Sequence, residues 1–245
     1  MSSPTATRTL RVCILDNDNL DPAVVDTYVS YGAMTEKMFA AAGTRWQFDR
    51  FNTTRQEYPD SFDAYDAVLL TGSRADSFSD TPWVQVLRAR VTELLRQRKP
   101  LLGICFGHQL IAHCLGAEVG RAPQGWGMGR MTYDWCGPRP LAAGSPATLS
   151  LLASHQDQVL TLPAGATLLA RSDFCPIAAY QIDDHVFCVQ PHPEFVEPYT
   201  EYLLDTRRAL VGEAVHASGK APLGLGHDGL DVARFMQAFV EAARG

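Results

Sequence analysis

The stretch Pro100-Leu101-Leu102-Gly103-Ile104-Cys105-Phe106-Gly107-His108-Gln109-Leu110-Ile111-Ala112 leaves the backbone few choices. An apolar run ends in Gly-x-Cys-x-Gly, and a helical pattern follows at once, with Leu110, Ile111, Cys114 and Leu115 on one face. This predicts strand, sharp turn, helix, with one cysteine at the apex. The same geometry with serine is a nucleophile elbow. Gly103 and Gly107 have no Cβ, so strand and helix can pass close to each other. The apex sulfur then lies near a helix N-terminus, where the positive end of the dipole favours a thiolate. Cys13, Cys114, Cys136, Cys175 and Cys188 read instead as buried core cysteines, the usual place for a free thiol. Flanking glycines make a poor core strand, so Cys105 is set apart from them.

An elbow of this kind needs a sheet behind it, and the 245 residues supply one. The apolar fraction is 46% and the charged fraction 20%, ordinary for a globular protein with a sizeable core. A net charge of −6 without a Lys or Arg run argues against nucleic acid or an anionic membrane as partner. The six cysteines are irregularly spaced and form no CxxC pair, which speaks against a zinc knuckle, a thioredoxin-type site or a disulfide framework. Met1–Thr9 is short and polar, and no stretch reaches signal-peptide or membrane-spanning length. A cytoplasmic location is expected.

Along the chain, Leu10–Leu15 reads as a buried first strand opening into the polar run Asp16-Asn17-Asp18-Asn19. Ala33–Ala42 is a helix stopped by Gly43, Arg45–Phe51 an ambiguous strand, and Asp66–Leu70 a buried strand leading to Thr71-Gly72-Ser73. Thr81-Pro82 starts a helix as N-cap and first residue, with Val84, Leu87, Val91, Leu94 and Leu95 on its face. This alternation predicts an α/β fold with a mostly parallel sheet covered on both faces. From Gly116 onward short strands follow without helices: Ala117–Arg121, Gly129–Trp135, Ala147–Leu152, Ala166–Arg171, Ile177–Ile182 and His185–Gln190. They predict a small antiparallel extension of the sheet. Pro198–Leu210 reads as a helix, Val215–Gly229 as a loop rich in Gly and His, and Asp231–Ala243 as a closing amphipathic helix. No repeat or linker interrupts the chain, so one domain over residues 1–245 is expected, its core at about 10–211 and its last helix at about 231–243.

A cysteine nucleophile needs a base, and the base needs an orienter. Among seven histidines, His192 stands out in Val189-Gln190-Pro191-His192-Pro193-Glu194-Phe195, just past the end of a buried strand. The prolines hold the backbone extended. Residues i and i+2 of an extended segment share a side, so Glu194 can accept from one ring nitrogen while the other faces a thiol.

Gly-Ile-Cys-Phe-Gly-His-Gln at 103–109 and Gln-Pro-His-Pro-Glu-Phe at 190–195 resemble the class I glutamine amidotransferases of the triad type. The resemblance spans Val12 to Phe195. It looks closest to stand-alone domains similar to the glutaminase part of GMP synthase, and also close to plant-type γ-glutamyl peptidases through the elbow and Gly120-Arg121-Ala122. It implies a flavodoxin-like three-layer sandwich. It implies that Cys105 is the nucleophile, His192 the base and Glu194 the orienter, with oxyanion-hole N–H groups from Gly72 and Phe106. Ser73 belongs to the Thr71-Gly72-Ser73 segment, and Gln109 matches a glutamine that helps hold the substrate. Ser154-His155-Gln156-Asp157-Gln158-Val159 resembles the family's Ser-His-x-Asp-x-Val stretch lining the glutamine pocket, although its residues alone read as a polar turn. The implied activity is hydrolysis of the glutamine side-chain amide through a Cys105 thioester, without metal or cofactor, ammonia passing to a partner. No ATP-pyrophosphatase signature or phosphate loop is present, so the partner would be a separate synthetase subunit. Hydrolysis of a γ-glutamyl peptide is the alternative, and a non-catalytic regulatory module of the same fold is another. The order Cys, His, Glu sets the chain apart from α/β-hydrolases, where the acid precedes the histidine.

Overall fold

The short apolar runs become strands buried on both faces. The computed structural model describes residues 8–137 and 147–243; residues 1–7, part of the polar N-terminal stretch noted above, lie outside them. The strands are β1 (Arg11–Asp16), β2 (Gln47–Asn52), β3 (Ala67–Leu70), β4 (Leu101–Ile104), β5 (Val119–Arg121), β6 (Gly127–Trp135), β7 (Thr148–His155), β8 (Asp157–Val159), β9 (Thr167–Arg171), β10 (Ala179–Ile182) and β11 (Val186–Val189). The helices are α1 (Pro22–Tyr28), α2 (Tyr31–Ala41), α3 (Pro82–Arg96), α4 (Phe106–Cys114), α5 (Glu197–Thr206), α6 (Arg208–Val211), α7 (Glu213–Lys220) and α8 (Gly229–Ala242).

One nine-stranded sheet runs β2-β1-β3-β4-β11-β10-β9-β6-β7, while β5 and β8 pair separately. Pairings from β2 to β11 are parallel, and those from β11 to β7 antiparallel. Successive side chains of the parallel strands feed two cores. Ile14, Leu69, Leu102 and Phe187 meet Phe39 of α2 and Phe235 and Met236 of α8. Leu15, Leu70, Leu101 and Val186 meet Val84, Leu87 and Val91 of α3 and Leu110 and Ile111 of α4. That two-sided burial is why these strands lack a polar alternation. The fold is the expected flavodoxin-like sandwich, mostly parallel in its helix-covered centre.

Several local expectations change. Val215–Gly229 is not all loop, because α7 reaches into it as far as Lys220. Gly219 lies in the stretch expected to be loop. It instead lets α7 press on β6, where a Cβ would stand 2.8 Å from the Met128 carbonyl oxygen. Lys220 closes that helix on Glu201 and Asp205, each at 3.0 Å. The expected Pro198–Leu210 helix divides at Arg207 into α5 and α6. The polar turn at Ser154–Val159 is the end of β7 and all of β8. α1 was not foreseen; it has only Val24 buried, and the Asp21 carboxylate caps it by accepting from Ala23 N–H at 2.8 Å. Thr81 does hold the cap position of α3, but its side chain makes no capping bond. Cys136 is exposed, just past the end of β6, and Cys114 is half-buried, so the core reading holds for Cys13, Cys175 and Cys188.

Phe39 is fully buried and packs its ring against Trp46 and Phe48 at 5.1 and 5.6 Å. Phe39→Ala should lower the unfolding free energy by about 3–5 kcal/mol, read from urea midpoints at constant m-value.

Candidate active site

The carboxyl ends of β1, β3, β4 and β11 lie side by side in the sheet, where open α/β folds collect their ligands. β4 turns into α4 through Cys105, whose φ of 51° and ψ of −100° place a non-glycine residue in a strained region. Two absences of side chain make the turn possible. A Cβ on Gly107 would stand 2.4 Å from the Leu70 carbonyl oxygen, and one on Gly103 would stand 2.8 Å from the Gly107 carbonyl carbon. The Cys105 N–H donates to Val189 O at 2.9 Å, tying the elbow to β11.

His192 follows β11 by three residues. Its N–H donates to Leu152 O at 2.8 Å, its ring stacks on Phe195 at 3.8 Å, and Nδ1 meets Glu194 Oε1 at 2.8 Å. Cys105 lines the same cavity as the ring and interacts with it electrostatically. Burial works against a charge on this imidazole, but Glu194 first and Cys105 second outweigh it and raise its pKa above the ordinary range. Glu194 and His192 are both buried, so little solvent screens the pair.

Gly72 lies beneath the same ring, where a Cβ would come within 2.6 Å of His192 Cε1. Asn17, just past β1, fixes this segment: its N–H donates to Thr71 Oγ1 at 2.9 Å and its Nδ2 to Thr71 O at 3.0 Å. Thr53 Oγ1 donates to Asn17 Oδ1 at 2.8 Å. Phe106 turns its ring away onto Trp83, with centroids 5.6 Å apart. Only its backbone is near Cys105, and as the first residue of α4 its N–H has no acceptor within the helix.

A cavity of about 340 Å³ opens over Cys105 and His192, and all six expected substrate contacts line it: Ser73, Gln109, Ser154, His155, Gln156 and Asp157. They differ in how free they are. Gln109 Nε2 donates to Asp157 O at 2.9 Å and Gln190 Oε1 at 3.1 Å, which uses both amide hydrogens and leaves the side-chain oxygen as the end able to accept. Asp157 Oδ1 accepts from Arg121 at 2.6 Å, so this carboxylate braces the wall. His155 is buried and neutral, its pKa pushed down to about 3 by burial first and by His192 second. His108, expected to be packed or solvated, is packed: fully buried, its pKa also pushed down to about 3, chiefly by burial.

The model of the class-I glutamine amidotransferases matches residues 23–204. The chain belongs to this family. It is 37% identical to gamma-glutamyl peptidase 3 of Arabidopsis thaliana over 180 residues, 70% of this chain and 72% of that one. It is 33% identical to one of the subunits of the glutamine-hydrolyzing GMP synthase of Methanocaldococcus jannaschii over 153 residues, 62% of this chain and 75% of that one. The solved structure of a glutamine amidotransferase from Thermotoga maritima matches with a TM-score of 0.72 over 96% of this chain and 98% of that one, at 20% identity, which is agreement of fold. Among the described residues, no helix is long and apolar enough to cross a membrane.

Tyr31, Trp126 and Arg207 also line the cavity and Asn17 fixes the Thr71–Gly72 segment beside it, and sequence reading had not named them as site residues. Asn17 left a signal, since it lies in the polar run at a strand's carboxyl end. Tyr31 and Arg207 left none; each sits at the edge of a helix with no telling spacing.

The histidines set opposite pH limits. His108 and His155 have folded pKa values near 3 against an ordinary 6.5, so the unfolded chain binds more protons below 6.5 and stability falls as pH drops toward 3. At pH 5.5 each should cost about 1.4 kcal/mol. His192 acts the other way: its contribution is complete below 6.5 and fades as pH rises from there toward its raised folded value. Urea unfolding at pH 5.5, 7 and 9 should therefore show a maximum near neutrality. His108→Gln should flatten the acid limb and His192→Ala the alkaline one.

Proposed function

We propose that the chain is a cysteine-dependent hydrolase of γ-glutamyl amides, with Cys105 as nucleophile, His192 as base and Glu194 as the group that orients and charges the ring. The observation that carries this reading is the buried run of contacts from Glu194 through His192 to Cys105 beside the cavity. His192 takes the thiol proton, and the sulfur attacks the side-chain carbonyl of the glutamyl group. The N–H groups of Gly72 and Phe106 meet the oxyanion, each worth roughly 3–4 kcal/mol if well placed. The imidazolium then gives its proton to the leaving amine as the C–N bond breaks. Water, activated by the same imidazole, cleaves the thioester and releases glutamate.

Gln109 offers its side-chain oxygen to the α-ammonium of the glutamyl group, and the Ser154–Asp157 wall encloses the rest. With glutamine the leaving group is ammonia, and a separate synthetase subunit would receive it. The relative named as part of a GMP synthase of several subunits supports that setting. A γ-glutamyl peptide is the second reading, favoured by the relative named gamma-glutamyl peptidase 3.

Glutamate release from glutamine and from a γ-glutamyl dipeptide tests the assignment. Cys105→Ala should lower kcat by at least about a thousandfold with an unchanged thermal melt. His192→Ala should cost nearly as much, and Glu194→Gln less, because the ring keeps its place on Phe195. Turnover retained by Cys105→Ala would exclude this mechanism.

A further inference from the structure

Three arginines line the cavity over Cys105, and two are neutralised. Arg74 forks onto Asp18 at 3.1 Å, and Arg121 bridges Asp157 at 2.6 Å and Asp76 at 3.0 Å. Arg207 forms no ion pair among the described residues. It is nonetheless held from two sides: Nη1 donates to Ser154 Oγ at 2.6 Å, and the guanidinium lies over the Trp126 ring, 5.7 Å from its centroid. A planar cation fixed in a cavity wall without a counter-ion is suited to a carboxylate from outside.

The surroundings say which carboxylate. A second cavity, of about 190 Å³, shares Tyr31, Arg74 and Arg207 with the first but is not lined by Gln109, Gln156 or Asp157. The residues assigned above to the glutamyl half therefore line the first cavity alone, and Arg207 stands at the border of the two. Ammonia as leaving group needs no such room. The added walls include Tyr199, Tyr202 and Leu203, and Asp18 and Asp21 line it too. Asp18 is committed to Arg74, and Asp21 caps α1.

We propose that this second cavity receives the leaving half of a γ-glutamyl peptide, and that Arg207 binds that half's carboxylate. The assignment rests on the γ-glutamyl hydrolase reading above and names its substrate class. The chemistry is unchanged: the C–S bond forms, the amide C–N bond breaks, and the amine departs with the proton from His192. What Arg207 adds is selection of an amino acid or peptide over a simple amine as leaving group.

The test compares γ-glutamylalanine with γ-glutamylethylamide, which lacks only the carboxylate. Wild-type protein should prefer the dipeptide by tenfold or more in kcat/KM. Arg207→Gln should bring that ratio near one, and Arg207→Lys should restore part of it. Leu203→Trp, which fills the second cavity without touching Arg207's charge, should also lower the ratio and keeps the test open if Arg207→Gln fails to fold. A ratio that survives Arg207→Gln, or equal losses on both compounds, overturns the assignment while leaving the hydrolase reading intact. So does wild-type cleavage of both compounds at similar efficiency. Cleavage of neither compound by wild-type protein overturns the hydrolase reading itself, and this assignment with it.

Discussion

The approach of α4 to β3 is the constraint on which the site depends. Backbone meets backbone there, with the Leu70 carbonyl occupying the space where residue 107 would carry a methyl group. The strand can turn into the helix within one residue because the helix needs no clearance. That residue, Cys105, is left at positive φ. The strain, of order 1–3 kcal/mol, is borne because the packing of Leu110, Ile111 and Phe106 into the core holds the helix in place.

The same contrast between backbone and side chain explains what could be read from the chain alone. The elbow and the Pro191-His192-Pro193-Glu194 segment are local: their glycines and prolines announce a backbone state, and the structure brings Cys105, His192 and Glu194 together. The buried strands were legible for the same reason. Contacts that arise from tertiary packing were not. The stretch around Gly219 reads as loop until β6 lies against it, and Arg207 carries no signal until Ser154 and Trp126 converge on it. The Ser154–Val159 stretch looked like a turn because residues 154–157 are polar where they line a cavity, a reason invisible to a hydrophobic pattern.

Three buried imidazoles show how narrowly charge is placed. His108, His155 and His192 are all removed from solvent, yet burial keeps the first two neutral and the third has its pKa raised. The difference is made first by one carboxylate, Glu194 Oε1 at 2.8 Å, and second by Cys105. His155 also feels the charge on His192, which lowers its pKa further. Neighbouring groups of one chemical type are thereby divided into one that favours the charged form and two that stay neutral.

β7 is the outermost strand of the nine-stranded sheet, and an open strand edge invites another chain to pair with it. Here three of the outward backbone groups are already occupied. Leu152 O accepts from the His192 N–H, and Ser150 exchanges bonds with Asp228, whose carboxylate and N–H lie at 2.7 Å. The loop that positions the imidazole thus also shields the margin of the sheet. Loosening the 190–195 segment would shift the imidazole and, at the same stroke, uncover the Leu152 carbonyl on that border, so the placing of the ring and the cover of the edge share one hydrogen bond.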